Sequence, residues 1–199
     1  MPVDPTATDR ITAYLHRSAE VKRAAATACA ADVAAGADLL VACYRAGGKV
    51  LFCGNGGSAA DCQHLAAELV SALNHDRPRA ALGAIALTTD TSFLTANAND
   101  FGFDHVFERQ VEALGRRGDV LVAISTSGNS PNVLRALERA RAQGLGTVLL
   151  TGRGGGKGAP LADVAVRVPS DETQHIQEVH IAAGHVLCAL VEERLFPSR

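Results

Sequence analysis

The sequence predicts an α/β fold in which a parallel sheet of about five strands is covered by helices on both faces. Three observations carry this. Short apolar runs close on glycine, serine or threonine, and their length suits strands buried on both sides. Stretches with helical spacing alternate with these runs, as in βαβ units. A chain of 199 residues, 47% of them hydrophobic, is also long enough to bury one well-packed core.

The chain opens on helix. Ile11, Leu15, Ala19 and Val21, then Cys29, Val33, Leu39, Leu40 and Cys43, recur at helical spacing in an alanine-rich stretch. Gly36 is a candidate break within it, and Gly47 and Gly48 end it. Lys49–Cys53 is the first strand and Ala84–Leu87 the second, the latter followed by a threonine-rich turn and a helical stretch. Asp119–Ser125 is the third. A Ser/Gly turn leads from it into a helix over Pro131–Gln143, with proline in the first turn. Thr147–Thr151 is the fourth strand, followed by the glycine-rich segment Gly152–Gly158, which is either a mobile loop or a plain turn. Val164–Val168 is the fifth, and a long C-terminal helix runs from Thr173 to about Arg194. No linker or low-complexity tract divides these elements. Residues 1–199 therefore read as one domain, with N-terminal helices over 1–46 and an α/β core over 47–199 that includes the last helix.

Composition argues against several function classes. Net charge is −2 with both signs interspersed, so no basic stripe is available to track nucleic acid. No apolar stretch reaches the roughly 18 residues of a membrane helix. The polar N-terminus lacks the basic-then-apolar order of a signal peptide, so a cytoplasmic location is expected. The five cysteines (Cys29, Cys43, Cys53, Cys62, Cys188) are odd in number and form no C-x-x-C pair, which reads as reduced, buried thiols. Aromatics are 4% and tryptophan is absent, a poor basis for stacking on bases or sugar rings.

In an open parallel sheet, ligands sit at the carboxyl ends of the strands, and two such ends carry anion-binding chemistry. Gly54-Asn-Gly-Gly-Ser58 follows the first strand and opens a helix. Its glycines allow close backbone approach, and the helix N-terminus offers free N–H groups. Ser58 can cap that helix or touch an anion. Alone, the segment serves equally well as an ordinary turn. Ser125-Thr-Ser-Gly-Asn-Ser130 follows the third strand and places Ser125, Thr126, Ser127 and Ser130 beside a glycine, where a cap alone needs one hydroxyl. Hydroxyls and amides recognise phosphate without a basic side chain.

Two helices add titratable groups. Asp61, His64 and Glu68 stand at i, i+3 and i+7, with His64 and Glu68 sharing a face. That spacing suits a metal ion, an acid and base facing one pocket, or a solvated surface pair. On the C-terminal helix, Gln177 and His185 are eight residues apart, roughly 12 Å along the axis. If both serve one site, two subunits contribute or the helix is distorted. His180 on the same helix reads as a core histidine.

Cys53–Asp61 (Cys-Gly-Asn-Gly-Gly-Ser-Ala-Ala-Asp), His64-x-x-x-Glu68, Asn99-Asp-Phe-Gly102, Ser125–Ser130, and Ile176-Gln-Glu-x-His180 with His185 occur in this order. Together, over about Gly47 to Leu190, they resemble the phosphoheptose isomerases, a family of sugar-isomerase (SIS) domain proteins. The resemblance implies a three-layer, flavodoxin-like SIS fold and a homotetramer with active sites between subunits. It implies interconversion of sedoheptulose 7-phosphate and D-glycero-D-manno-heptose 7-phosphate, the first step of ADP- or GDP-heptose synthesis. By motif position it places Asn55, Gly56, Gly57 and Ser58, with Ser125, Thr126, Ser127 and Ser130, on the substrate and its phosphate. It places Asn99, Asp100, Glu68 and Gln177 on the sugar and makes Glu68 and His185 the acid–base pair. It also implies a zinc site of His64, Glu68, Gln177 and His185, one ion per subunit. Two departures stand out: Ala98 where many relatives have glycine, and two extra residues between Glu68 and that motif.

The chemistry agrees with the residues. Aldose–ketose isomerisation through an enediol needs a base, an acid on the oxygens and stabilisation of the enediolate. Glu68 can be the base and His185 a proton shuttle at neutral pH, although a zinc-bound Glu68 would be a weaker base. Two rival readings share the motifs: a catalytically silent SIS protein that binds a sugar phosphate or a partner protein, and an isomerase of another sugar phosphate. The presence of Glu68, Gln177 and His185 together favours an enzyme.

Overall fold

The computed structural model describes residues 5–74, 76 and 78–197. Two helices, α1 (Pro5–Ala28) and α2 (Ala30–Arg45), lead into β1 (Val50–Gly54) and α3 (Gly57–Val70). Next come β2 (Ala84–Ala86), α4 (Thr91–Phe101), α5 (Glu108–Leu114), β3 (Val120–Ile124) and α6 (Pro131–Gln143). The chain finishes with β4 (Gly146–Gly152), β5 (Val164–Val168) and α7 (Thr173–Leu195). The five strands form one all-parallel sheet in the order β2-β1-β3-β4-β5.

Alternation along each strand divides the core into two layers. Val50, Phe52, Val122, Val148 and Leu150 face α1, α2, α3 and α7. Leu51, Cys53, Leu121, Ala123 and Leu149 face α5 and α6, with α4 packing partly on that layer. Every residue of β1 and β3 is buried, as strands covered on both sides require. All five cysteines are buried free thiols. No single helix among the described residues is long and apolar enough to cross a membrane.

The N-terminal break is not where the sequence suggested. The chain bends by 65° at Cys29, and Gly36 lies within a continuous α2. Cys29 is buried with its Sγ 3.4 Å from the Arg167 carbonyl on β5. Gly36 serves close packing instead. A Cβ there would stand 3.2 Å from Leu187 Cδ2 of α7 and 3.6 Å from Val148 Cγ1 of β4.

His180 is a core histidine, 0% exposed, whose ring nitrogens find no well-aligned partner. Burial lowers its pKa to about 4, and the backbone of Thr151 offsets only part of that cost. The neutral ring is therefore favoured in the folded chain, while the unfolded ring titrates near 6.5. Its contribution to stability is complete above pH 6.5 and is lost as pH falls toward 4. Urea unfolding at pH 7.0, 6.0 and 5.0 is expected to show His180→Gln losing less stability than the parent, by about 1.4 kcal/mol per pH unit across that window. Parallel profiles would contradict this.

Candidate active site at the carboxyl ends of β1 and β3

The sheet order places its switch point between β1 and β3, and the two hydroxyl- and glycine-rich loops leave the sheet there side by side, with Gly54 paired to Ile124. Gly56, at φ +57°, makes the first turn and caps α3. Ser58 is buried inside the first turn of α3 and is not its cap, contrary to the capping role open to it in the sequence. A side chain at Gly54 would crowd the loop, because a Cβ would lie 3.0 Å from both the Ile124 carbonyl and Ser58 Cβ.

In the second loop, the buried Ser125 hydroxyl lies 3.1 Å from that of Ser130. The exposed Ser127 Oγ accepts from Asn129 N–H at 3.1 Å. Asn132, in the first turn of α6, joins the loops: its amide and that of Asn55 exchange two hydrogen bonds of 2.9 Å each. A cleft of about 240 Å³ opens beside Thr126 and Ser127, walled by Gly152, Arg153, Ser170 and Thr173.

The glycine-rich segment after β4 proves to be a buttress for the second loop. Gly158 N–H donates to the Gly128 carbonyl at 2.9 Å, and Lys157 N–H to Asn129 Oδ1 at 3.0 Å. Gly155 and Gly156 hold φ of +69° and +55°, and a Cβ on Gly156 would overlap the Ser127 carbonyl. Asn132 was not singled out from the sequence, Asn129 was given no role of its own, and the glycine segment was read as a mobile loop or a plain turn rather than as a buttress. An asparagine after Pro131 carries no pattern, whereas three consecutive glycines were a usable signal of close backbone approach.

The second part of the site lies between α3 and α7, which run parallel. A Cβ on Gly184 would lie 2.6 Å from both Cδ atoms of Leu65, so a side chain there would have to push the buried Leu65 aside. The contact brings His64 Nε2 within 2.8 Å of His185 Nε2 and 3.2 Å of Glu68 Oε1. One ligand atom from each of these residues lies within 4.8 Å of the other two. Two imidazole nitrogens at that separation need a proton or a cation between them. Asp61, one turn earlier, has a buried, unpartnered Oδ2. Burial raises its pKa, against the opposing pull of His64 and His185.

Gln177 goes elsewhere. Its amide packs on the start of α3, 2.9 Å from where a Gly57 Cβ would stand, roughly 12 Å along α7 from His185. One chain thus gathers His64, Glu68 and His185 and leaves Gln177 at the first loop. Asn99 and Asp100 sit exposed on the last turn of α4, bonded to each other at 2.8 Å. Among the described residues their side chains make no hydrogen bond to either loop or to the histidine pair.

If the glycine buttress fixes the second loop, Gly156→Ala should cost about 2 kcal/mol or more, from left-handed strain and overlap with the Ser127 carbonyl. Urea unfolding reads this directly, and parent-like stability would refute the buttress.

Residues 13–152 match the SIS domain family. A phosphoheptose isomerase of Rhodospirillum rubrum is 60% identical over 167 residues, covering 84% of this chain and 88% of the relative. One of Desulfovibrio desulfuricans is 55% identical over 194 residues, covering 98% and 91%. The structure of the Neisseria gonorrhoeae phosphoheptose isomerase superposes with a TM-score of 0.88 at 46% identity, over 94% of this chain and 98% of that one. The Francisella tularensis phosphoheptose isomerase gives 0.90 at 38% identity over the same shares. The chain belongs to the SIS domain family, within its phosphoheptose isomerases.

Proposed function

We propose that this protein interconverts sedoheptulose 7-phosphate and D-glycero-D-manno-heptose 7-phosphate in the cytoplasm, as the first step toward a nucleotide-activated heptose. The observation that carries the reading is the meeting of Glu68 and His64, on the helix that starts at the first loop, with His185 of α7. In this reading Asn55, Gly56, Gly57, Ser58, Ser125, Thr126, Ser127 and Ser130 bind the substrate through its phosphate. Asn99, Asp100 and Gln177 contact the sugar.

Glu68 removes a proton from C1 of the open-chain ketose, and the electron pair forms the C1–C2 double bond of an enediol as O2 takes up a proton. Return of a proton to C2 and loss of the O1 proton leave the aldehyde at C1. His185, beside Glu68, moves the proton between the oxygens. Two imidazoles and a carboxylate also suit zinc and leave a coordination position open. His64, Glu68 and His185 would hold one ion per subunit, which would polarise the carbonyl. Binding would draw on the Glu68 lone pair, so base and ligand roles compete at one carboxylate.

A homotetramer with sites between subunits completes the reading. The 12 Å between Gln177 and His185 supports it, because Gln177 would reach a histidine cluster only from another copy. The apolar groove between α1, α2 and α7, lined by Ala26, Val33, Val179, Ala182 and Val186, supports it as well.

NMR of sedoheptulose 7-phosphate incubated with the enzyme tests the proposal. Heptose 7-phosphate should accumulate, and Glu68→Gln or His185→Gln should lower kcat by about 10²–10⁴-fold with the fold intact. The double variant should be little worse than either single one. A Glu68→Gln enzyme within a few-fold of the parent would overturn the assignment. Ser127→Ala and Ser130→Ala should instead weaken substrate binding, by roughly 1.5–3 kcal/mol each. Parent-like affinity in the double variant would leave the loop a mere turn.

A further inference from the structure

The segment between α3 and β2 contains a buried guanidinium that the site's own motifs do not include. Arg79's side chain is 2% exposed, and its ion-pair partner, Glu192 of α7, is 7% exposed. Arg79 Nε donates to Glu192 Oε1 at 2.7 Å. Nη1 donates to the carbonyls of Leu69 at 2.9 Å and Ala80 at 3.0 Å, and Nη2 to the carbonyl of Glu68 at 2.7 Å. Glu192 Oε1 also accepts from Leu73 N–H at 3.0 Å, and the Phe196 ring lies 5.9 Å from the guanidinium carbon.

This is more than a buried ion pair. The last carbonyls of a helix have no partner within it and carry its negative partial charge. Arg79 satisfies two of them on α3, and one belongs to Glu68. Its fixed planar fork defines where that last turn sits. Through Glu192 the same guanidinium grips α7 seven residues, or two turns, beyond His185 and so on the same face. The pair therefore spans the two helices that carry Glu68 and His185. We infer that Arg79 is a positioning residue for the isomerase reaction: with Glu192 it fixes the Glu68 carboxylate against His185. The inference rests on the reading of Glu68 as the proton-transferring base.

Arg79→Lys keeps the charge and loses the fork. Glu192→Gln is isosteric, keeps acceptors for Arg79 and Leu73, and removes the charge. Val111→Ala, in the core layer on the far face of the sheet, supplies a destabilised control outside the site. Kinetics on sedoheptulose 7-phosphate should show kcat falling tenfold or more in Arg79→Lys and Glu192→Gln, since misplacement of about 1 Å can cost 10²-fold. KM should stay within about threefold, because the phosphate loops are untouched, and Val111→Ala should keep parent kcat at an equal or larger loss in melting temperature. Parent-like kcat in Glu192→Gln, or losses in both site variants no greater than in Val111→Ala, overturns the inference. An unchanged kcat in Glu68→Gln, run alongside, would instead sink the reading beneath it.

Discussion

The closest approach on which this site depends is that of α3 to α7. Gly184 against Leu65 sets how near the two helices come. The meeting of the titratable groups follows from that separation. At one end it seats the Gln177 amide on Gly57, and near the other it brings His185 to His64 and Glu68. A larger residue at position 184 would force Leu65 or a helix aside, and packed interiors do not absorb such shifts locally.

The rest of the architecture supplies the frame for that contact. β1 and β3 are buried along their whole length and pair in register, which fixes where α3 and the Ser125–Ser130 loop begin. The reciprocal Asn55–Asn132 amides then lock one loop to the other. Polar recognition in this region uses hydroxyls, amides and a helix N-terminus. In the proposed function these are enough for an anion, which fits a chain of net charge −2. Two buried or half-buried basic residues serve structure: Arg79 holds Glu192 and the end of α3, and Lys49 pairs with the buried Asp119.

Much of this was legible in the sequence because it was written in local patterns. Pro131–Gln143 and Val164–Val168 have the bounds their periodicity predicted, since proline at a first turn and a β-branched run each specify one local state. The convergence of the two loops followed from their equivalent positions at strand ends. What was not legible depends on tertiary distance. Gly36 read as a break because glycine disfavours helix, but its lack of a Cβ serves the packing of α2 on α7 and β4. Arg79 lies in a segment without periodicity, and only the fold brings it to Glu68 and Glu192, the latter 113 residues away. The separation of Gln177 from His185 was readable from helical rise alone, and the continuous α7 agrees with it.

In the proposed function Glu68 takes a proton from carbon, so the fate of that hydrogen is the most direct test. Sedoheptulose 7-phosphate turned over in deuterium oxide should yield heptose 7-phosphate carrying deuterium at C2. Deuterium should also appear at C1 of recovered ketose, and both signals should vanish with Glu68→Gln. A Glu68→Gln enzyme that forms product and incorporates deuterium at the parent's rate would contradict proton transfer through Glu68.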